Sequence, residues 1–214
     1  MAKKKNITDT KLISFYMDYV LTHNHAPKTV YAFAKDNNFD EADFYKNYAS
    51  FDALEKSIFK VFFYNSIEIL EKSEEYQHFD ARNKLLSFYF TFFENLTANR
   101  SYVVYALKDK GMKSLSSLSE LRHAFKKYID MLDIETLDIK EPRIVKIQDF
   151  SKQESFWIQF MMIMKFWLDD TSPSFEKTDI FIEKSVHAGF DLMDIKPLKS
   201  VIDLGKFIFK EKMQ

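Results

Sequence analysis

The sequence predicts an all-α protein with a small N-terminal helical unit and a larger helical C-terminal unit. Gly and Pro are scarce, at 3 and 4 of 214 residues, which favours long helices over tight-turned β architectures. Apolar residues recur at spacings of three and four along most of the chain, and this is the period of an amphipathic helix. We place the N-terminal domain at residues 1–52 and the C-terminal domain at residues 53–214.

The composition and motifs exclude several kinds of site. The chain has no Cys, which excludes disulfides, thiolate metal sites and a cysteine nucleophile. The sequence contains no Gly-rich phosphate loop, Gly-x-Ser-x-Gly turn or His-Glu-x-x-His pair, and its 5 His residues are scattered. We therefore predict a protein that is not an enzyme and that has no catalytic residues, no metal site and no cofactor.

Membrane insertion and export are also not predicted. Lys3–Lys5 lead into an amphipathic helix and not into an apolar run with a cleavage site. The most apolar window, residues 156–168, is too short to span a bilayer and includes Gln159 and Lys165. We therefore expect a cytoplasmic protein. The net charge of −1 provides no overall basic field to attract nucleic acid.

Residues 29–54 predict two short helices, a tight turn between them, and the start of a long third helix. The turn falls at Asn37 and Asn38, and Asn tolerates the left-handed exit from a helix. A first helix over residues 7–23 is expected to pack across the two short ones, which completes a helix-turn-helix unit. The residues predicted to cap the three helices of this stretch are Thr29, Asp40 and Ser50.

The same stretch resembles the DNA-binding domain of the TetR family of bacterial repressors. That family typically shows Thr-Val-x-x-Ile-Ala, a Gly-Val-Ser turn, Leu-Tyr-x-x-Phe and then Lys-Glu-x-Leu. The register holds without a gap across TVYAFAK and FDEADFYKNYASFDAL. The residues that match outright are Thr29, Val30, Ala34, Tyr45 and Leu54. The residues that replace the family's Ile, Ser, Leu and Phe are Phe33, Asp40, Phe44 and Tyr48.

This resemblance implies binding to double-stranded DNA, although the charge near the second short helix is unfavourable. Residues 35–47 contain two lysines and four carboxylates, a net charge of −2 where the family usually runs neutral to basic. Phe51 stands where the family commonly has a Lys that contacts the DNA backbone. Fewer phosphate contacts weaken binding, whereas carboxylates can accept hydrogen bonds from cytosine. Besides the basic arm Lys3–Lys5, the predicted DNA-binding residues are Lys28, Thr29, Tyr31, Asp43, Tyr45 and Lys46.

The C-terminal domain is predicted to contain further helices and one irregular connection. The connection covers residues 133–150 and includes a short extended piece over residues 143–147, because this stretch lacks clear periodicity and carries Pro142. The predicted helices cover residues 51–76, 80–97, 100–108, 115–132, 152–169, 175–193 and 198–210.

The helix pair over residues 152–193 also resembles the C-terminal region of TetR proteins. Its sequence, FWIQFMMIMKFWLDDTSPSFEKTDIFIEKSVHAGFDLM, has apolar bulk on more than one side of the first helix. In the family, two such helices form a four-helix bundle with those of a second subunit, so we expect a twofold homodimer. The predicted interface residues are Trp157, Phe160, Met161, Met164, Phe181, Ser185 and His187.

The abundance of Phe (23), Tyr (11) and Met (9) fits either a pocket for a small hydrophobic ligand or a plain aromatic core. The predicted pocket residues are Phe88, Phe92, Tyr102, Tyr105, Phe125 and Tyr128. The first function predicted is a ligand-responsive transcriptional regulator of the TetR type that acts as a repressor. The alternative is a TetR-fold protein without operator binding that acts as a lipid- or isoprenoid-binding accessory protein, as some proteins of quinone biosynthesis do.

Overall fold

The computed structural model describes residues 7–109, 114–134 and 142–193, and every regular element within these ranges is helical. The all-α prediction is therefore confirmed. None of the described helices is both long and apolar enough to cross a membrane. The α-helices are α1 Asp9–His23, α2 Val30–Asp36, α3 Glu41–Asn47, α4 Phe51–Glu71, α5 Glu74–His78, α6 Ala81–Ala98, α7 Arg100–Val104, α8 Ser114–Ser117, α9 Ser119–Met131, α10 Pro142–Asp169 and α11 Glu176–Met193.

The chain divides into two compact units. Unit 1 comprises Met1–Ile69 and Thr91–Ala124, and unit 2 comprises Leu70–Phe90 and Phe125–Gln214. The division falls within α4, α6 and α9. The domain boundary predicted between residues 52 and 53 marks the end of the helix-turn-helix motif. This boundary stays a prediction.

Two of the three predicted caps in the helix-turn-helix stretch are confirmed. The hydroxyl of Thr29 accepts a hydrogen bond from the Ala32 amide at 3.1 Å, and the hydroxyl of Ser50 accepts one from the Ala53 amide at 3.2 Å. The prediction for Asp40 is wrong in its detail. Asp40 stands at the N-cap position of α3, but its side chain makes no capping hydrogen bond. The backbone closes this turn instead, because the Asp40 carbonyl accepts from the Asp43 amide at 2.8 Å.

The turn between α2 and α3 has the predicted left-handed residue. Asn38 adopts a φ of 56°, a conformation that Asn tolerates better than most residues. The amide of Phe39 then donates to the carbonyl of Ala34 at 3.0 Å, which satisfies one of the free carbonyls at the end of α2.

Phe33 on α2 is the centre of the core around this turn. Its side chain is completely buried, and rings from α1, α3, the turn and α4 surround it. The resulting aromatic cluster fixes α2 and α3 against α1 and the start of α4. The rings in contact with Phe33 have centroid distances between 5.4 and 6.4 Å and belong to Tyr16, Tyr19, Phe39, Phe44 and Phe51.

Two predicted boundaries are wrong. The long helix α4 ends at Glu71, and α5 follows as a separate short helix. The extended piece predicted over residues 143–147 is helical, because α10 begins at Pro142. Proline suits the first position of a helix, where its fixed φ is helical and its missing N–H is not needed. The predicted helix over residues 198–210 and the basic arm Lys3–Lys5 lie outside the described residues.

In unit 2, α10 and α11 pack along each other and are joined by a short turn. Both tryptophans of the chain, Trp157 and Trp167, lie on α10. A 3-10 turn over Pro173–Phe175 precedes α11, and Ser174 and Phe175 have positive φ values of 52° and 60°. This backbone conformation costs an ordinary residue about 1–2 kcal/mol, so other contacts must hold the turn in place.

Asp170 supplies those contacts. One carboxylate oxygen accepts hydrogen bonds from the amide and hydroxyl of Ser172, at 2.8 and 2.7 Å. The other accepts from the amide and hydroxyl of Thr178, at 3.0 and 2.7 Å. Burial opposes ionisation of Asp170, but these four hydrogen bonds outweigh it and lower the pKa of the carboxyl to about 2. The charged carboxylate therefore joins the turn to the first turn of α11.

Candidate functional sites

The helix-turn-helix presents its predicted DNA-binding residues to solvent. Lys28, Thr29 and Lys46 are exposed, and Tyr31 and Tyr45 have 63% and 53% of their surface accessible. The sixth predicted residue, Asp43, is only partly accessible. Phe33 on α2 and Phe44 on α3 are buried, whereas Tyr31 and Tyr45 lie on the outward faces of the same helices.

Lys46 on α3 forms an ion pair with a residue of the same helix. Its ammonium lies 2.6 Å from the carboxylate of Asp43. The hydrogen bond from Lys46 to Asp43, followed by the charges of Asp43 and Asp40, raises the pKa of the lysine. An ion pair of this kind on a surface is weak and is screened by salt, so Lys46 can exchange Asp43 for another anion at small cost.

Tyr48 anchors the end of α3, a role that sequence reasoning missed. Its hydroxyl donates a hydrogen bond to Asp9 on α1 and accepts one from the hydroxyl of Ser57 on α4 at 2.9 Å. Burial and the bond to Asp9 raise the pKa of Tyr48, which keeps the hydroxyl protonated as a donor. Tyr48 stands where the family has an apolar residue, and its hydroxyl connects the end of α3 to α1 and α4.

A second tyrosine–carboxylate contact joins α1 to α4. The hydroxyl of the fully buried Tyr16 donates a hydrogen bond to the carboxylate of Glu55. Burial and then this hydrogen bond raise the pKa of Tyr16. The charge of Glu55 also adds to the effect of burial in raising the pKa of Tyr102 on α7. Glu55 therefore lies near residues of two other helices of unit 1.

The predicted pocket residues are all buried aromatic side chains, three in each unit. In unit 2, the ring of Phe88 lies 5.0 Å from that of Tyr128 and 5.9 Å from that of Phe125. The Tyr128 hydroxyl donates to the carbonyl of Lys84 at 3.0 Å. These contacts fill the space around the rings, which favours the core interpretation for this set.

The other three predicted pocket residues belong to unit 1. Phe92 and Tyr102 are buried, and the ring of Tyr102 lies 6.4 Å from that of Tyr105. Tyr105 also lines a cleft of about 400 Å³ that α1 and α7 form within unit 1. A π-helical turn, Tyr105–Asp109, begins at this residue. Sequence periodicity does not reveal such a turn, because it covers five residues and differs from an α-helix only in hydrogen bonds that span one more residue.

The predicted interface residues of α10 and α11 differ in their accessibility. Phe160 and Met164 are completely buried within the protomer, and Phe160 packs against the rings of Tyr89, Phe125 and Trp157. The remaining five are partly accessible; they are Trp157, Met161, Phe181, Ser185 and His187.

A neighbouring apolar stripe is far more exposed. It consists of Ile158, Met162 and Phe166 on α10, which have between 36% and 59% of their surface accessible, together with the partly accessible Phe181 on α11. The three α10 residues are spaced four apart, which places them on one side of the helix. The ring of Phe166 stacks on that of Phe181 at 4.5 Å. The i, i+4, i+8 spacing was the sequence signal that could have found this stripe.

The fold and these surfaces define an all-α protein with a helix-turn-helix near its N-terminus and a paired-helix C-terminal region. Residues 84–208 match the family model described as "Tetracyclin repressor-like, C-terminal domain". This match covers more than half of the chain. The chain therefore belongs to the TetR family of regulators. A comparison with curated proteins matched none of them.

Proposed function

We propose that this protein is a ligand-responsive DNA-binding transcriptional repressor, which acts as a cytoplasmic homodimer and performs no catalysis. The observation that carries the proposal is the helix-turn-helix geometry. A buried aromatic cluster around Phe33 fixes α2 and α3, and Tyr48 ties the end of α3 to α1 and α4. A rigid pair of short helices with outward-facing side chains is what insertion into a major groove requires.

The proposed DNA contacts fall into two groups. Lys28, Thr29 and Tyr31, at the start of α2, are placed to contact phosphates, which position the protein without reading sequence. Asp43, Tyr45 and Lys46 on α3 face the groove. Lys46 would leave Asp43 for a phosphate, and Asp43 would then accept a hydrogen bond from cytosine. Because so few cations are involved, we expect modest affinity and a shallow dependence on salt.

The apolar stripe on α10 and α11 supports the homodimer. A row of exposed Ile, Met and Phe side chains is unusual on the surface of a monomer. A twofold axis would place the stripe against its copy, and the partly accessible residues of the predicted interface would surround it. Phe160 and Met164 would then support the interface from inside the protomer.

The proposed ligand is a small hydrophobic molecule held among aromatic residues of the C-terminal domain. The predicted pocket residues are already packed against other rings. Binding therefore requires these rings to move apart, and the movement provides a way for the ligand to change the arrangement of the helices.

The test is selection of random duplex DNA with the purified protein, followed by sequencing, across a series of salt concentrations. We expect an enriched palindromic motif that gives the spacing of the two half-sites. Tyr45→Ala should weaken binding to this motif by about tenfold, equivalent to about 1.4 kcal/mol. Tyr64→Ala, which removes an exposed tyrosine of α4, should leave binding unchanged. An absence of enrichment even at low salt would overturn the regulator proposal.

The charge around α3 favours a second candidate, the lipid- or isoprenoid-binding accessory protein without operator binding. Residues 35–47 carry four carboxylates against two lysines, and Lys46 is paired with Asp43. Mass spectrometry of the purified protein tests this candidate directly. An isoprenoid or other lipid at one equivalent per protomer, together with no DNA enrichment, would establish it, whereas a lipid-free protein would dismiss it.

A further inference from the structure

We propose that the cleft between α1 and α7 is a binding site for a small organic carboxylate with an apolar tail. The cleft lies within unit 1 and has a volume of about 400 Å³. This volume is within the range of small-molecule sites and equals the liquid volume of roughly a dozen waters. It is therefore large enough for a molecule of about ten non-hydrogen atoms.

Four of the residues that line the cleft are apolar or aromatic. Val20 and Leu21 contribute from the last turn of α1, and Val104 and Tyr105 contribute from the end of α7 and the turn that follows it. Val20 and Tyr105 are buried, whereas Leu21 has 44% of its surface accessible. An apolar tail in the cleft would cover Leu21 and remove this surface from water, which is favourable in proportion to the area covered.

The remaining lining residues carry hydrogen-bond donors and one positive charge. They are Asn24 at the end of α1, and Arg100 and Ser101 at the start of α7. Among the described residues, neither the side-chain amide of Asn24 nor the hydroxyl of Ser101 has a hydrogen-bond partner. Arg100 has contacts within the protein, but its five N–H groups allow it to bind a carboxylate as well.

The chemistry of this lining selects the ligand class. The described residues that line the cleft include a permanent cation and no carboxylate. Two neutral donors, Asn24 and Ser101, together with the charged Arg100 match the acceptors of a carboxylate, and the apolar lining residues match a hydrocarbon tail. A neutral molecule would contact the apolar lining residues but would gain nothing from the charge of Arg100.

The backbone beside the cleft also departs from regular helix. The chain changes from α-helix to a π-helical turn at Tyr105, and such turns are frequent at functional sites. A molecule in the cleft would touch α1 directly, and α1 is a helix of the helix-turn-helix unit. The cleft shares Tyr105 with the aromatic residues proposed for the hydrophobic ligand, but its other lining residues are not among them.

The test is titration of the full-length protein with octanoate, followed by isothermal calorimetry and by two-dimensional NMR. Octan-1-ol serves as the neutral ligand of the same length. We expect octanoate to bind saturably at one equivalent per protomer, and octanol to bind at least tenfold more weakly. Arg100→Gln should weaken octanoate binding at least tenfold and should abolish the preference over octanol.

Ser101→Trp provides a second, steric test, because the indole would fill the cleft from an exposed position. It should abolish octanoate binding, whereas Asn83→Trp at an exposed position of α6 should not change it. Circular dichroism establishes that each variant is folded. Three results would each overturn the proposal: no saturable binding, wild-type affinity in folded Ser101→Trp, or equal affinity for octanoate and octanol.

Discussion

The side-chain amide of Gln159 occupies the space that a β-carbon on Gly189 would need. A Cβ built at residue 189 would stand 2.6 Å from Nε2 of Gln159. From this position Nε2 donates to the carbonyl of Ser185 on α11 at 2.6 Å, and Oε1 accepts from the hydroxyl of the buried Tyr89 at 3.1 Å. The absence of a side chain at residue 189 therefore allows Gln159 to join α10, α11 and α6 within unit 2.

Gly189→Ala should lower the free energy of unfolding by about 1 kcal/mol. Alanine is favoured over glycine in a helix by about 0.8–1 kcal/mol. The methyl group would displace Gln159, however, and leave the buried Tyr89 hydroxyl without its acceptor, at a cost of about 1–3 kcal/mol. Urea denaturation followed by circular dichroism measures the net change.

The matched control for this prediction is the same substitution in a Gln159→Ala background. There the side chain that would clash is absent, so Gly189→Ala should stabilise the protein by about 0.5–1 kcal/mol. A change of sign between the two backgrounds establishes that Gln159 is the cause. Equal effects in both would contradict the explanation.

Phe33→Ala should destabilise the protein by about 3–5 kcal/mol, because it removes the buried ring around which the helix-turn-helix is packed. Tyr31→Ala, at an exposed position of the same helix, should change stability by less than about 0.5 kcal/mol. Thermal and urea denaturation of the two variants provides the comparison. Similar losses for both would mean that α2 is not packed through Phe33.

Tyr16→Phe should cost about 1–3 kcal/mol, because Glu55 loses a charged hydrogen bond inside unit 1. A double-mutant cycle with Glu55→Gln isolates this contact. We expect a coupling free energy above about 0.5 kcal/mol, since the amide that replaces the carboxylate in the Glu55→Gln variant is a weaker acceptor. A coupling indistinguishable from zero in urea denaturation would show that the contact contributes nothing to stability.

Asp170 should make stability depend on pH in the acid range. Its pKa of about 2 in the folded protein is below the ordinary value of 3.8, so the contribution is complete above about pH 4. It is then lost as the pH falls from about 4 to 2. Asp170→Asn should destabilise by about 1–3 kcal/mol at pH 7, because its amide places donors against the donors of Ser172 or Thr178.

The measurement is the free energy of unfolding between pH 2 and 6. The difference between wild type and Asp170→Asn should shrink as the pH falls through this window. Asp179→Asn is a suitable comparison, because burial and the nearby charge of Asp170 raise the pKa of Asp179. Its removal should therefore not reduce stability at neutral pH. A difference that stays constant across the window for Asp170→Asn would contradict the assignment.

Met162→Glu should convert the proposed dimer into a monomer. It places a charge in the centre of the stripe formed by Ile158, Met162, Phe166 and Phe181, where the copy of the stripe would have to desolvate it. Sedimentation velocity measures the change in mass. His123→Glu, at an exposed position of α9, should leave the mass unchanged, and a Met162→Glu variant that remains dimeric would move the interface elsewhere.

Sequence reasoning located the helix-turn-helix well because local signals define it. Thr29 and Ser50 cap their helices through their own backbone neighbours, and Asn38 marks the turn through its own φ. Each of these properties depends on residues within four positions of one another.

The parts that could not be predicted depend on partners distant in the chain. Tyr48 reaches Asp9 and Tyr16 reaches Glu55 across a separation of 39 residues each, and no local pattern reveals such pairs. The pattern of apolar residues on α10 does not distinguish the exposed stripe from the buried face beside it, since apolar residues cover both. Only the packing against the rest of unit 2 decides which face is covered.

The position of both tryptophans on α10 gives the molecule a built-in optical probe of a single helix. Trp167 is buried and Trp157 stacks on Phe160 at 5.2 Å, so their emission reports on the interior of unit 2. Unit 1 has no tryptophan. Far-UV circular dichroism averages over all helices, whereas indole fluorescence follows unit 2 alone. Comparing the two signals during one denaturation shows, without any label, whether the two units unfold together.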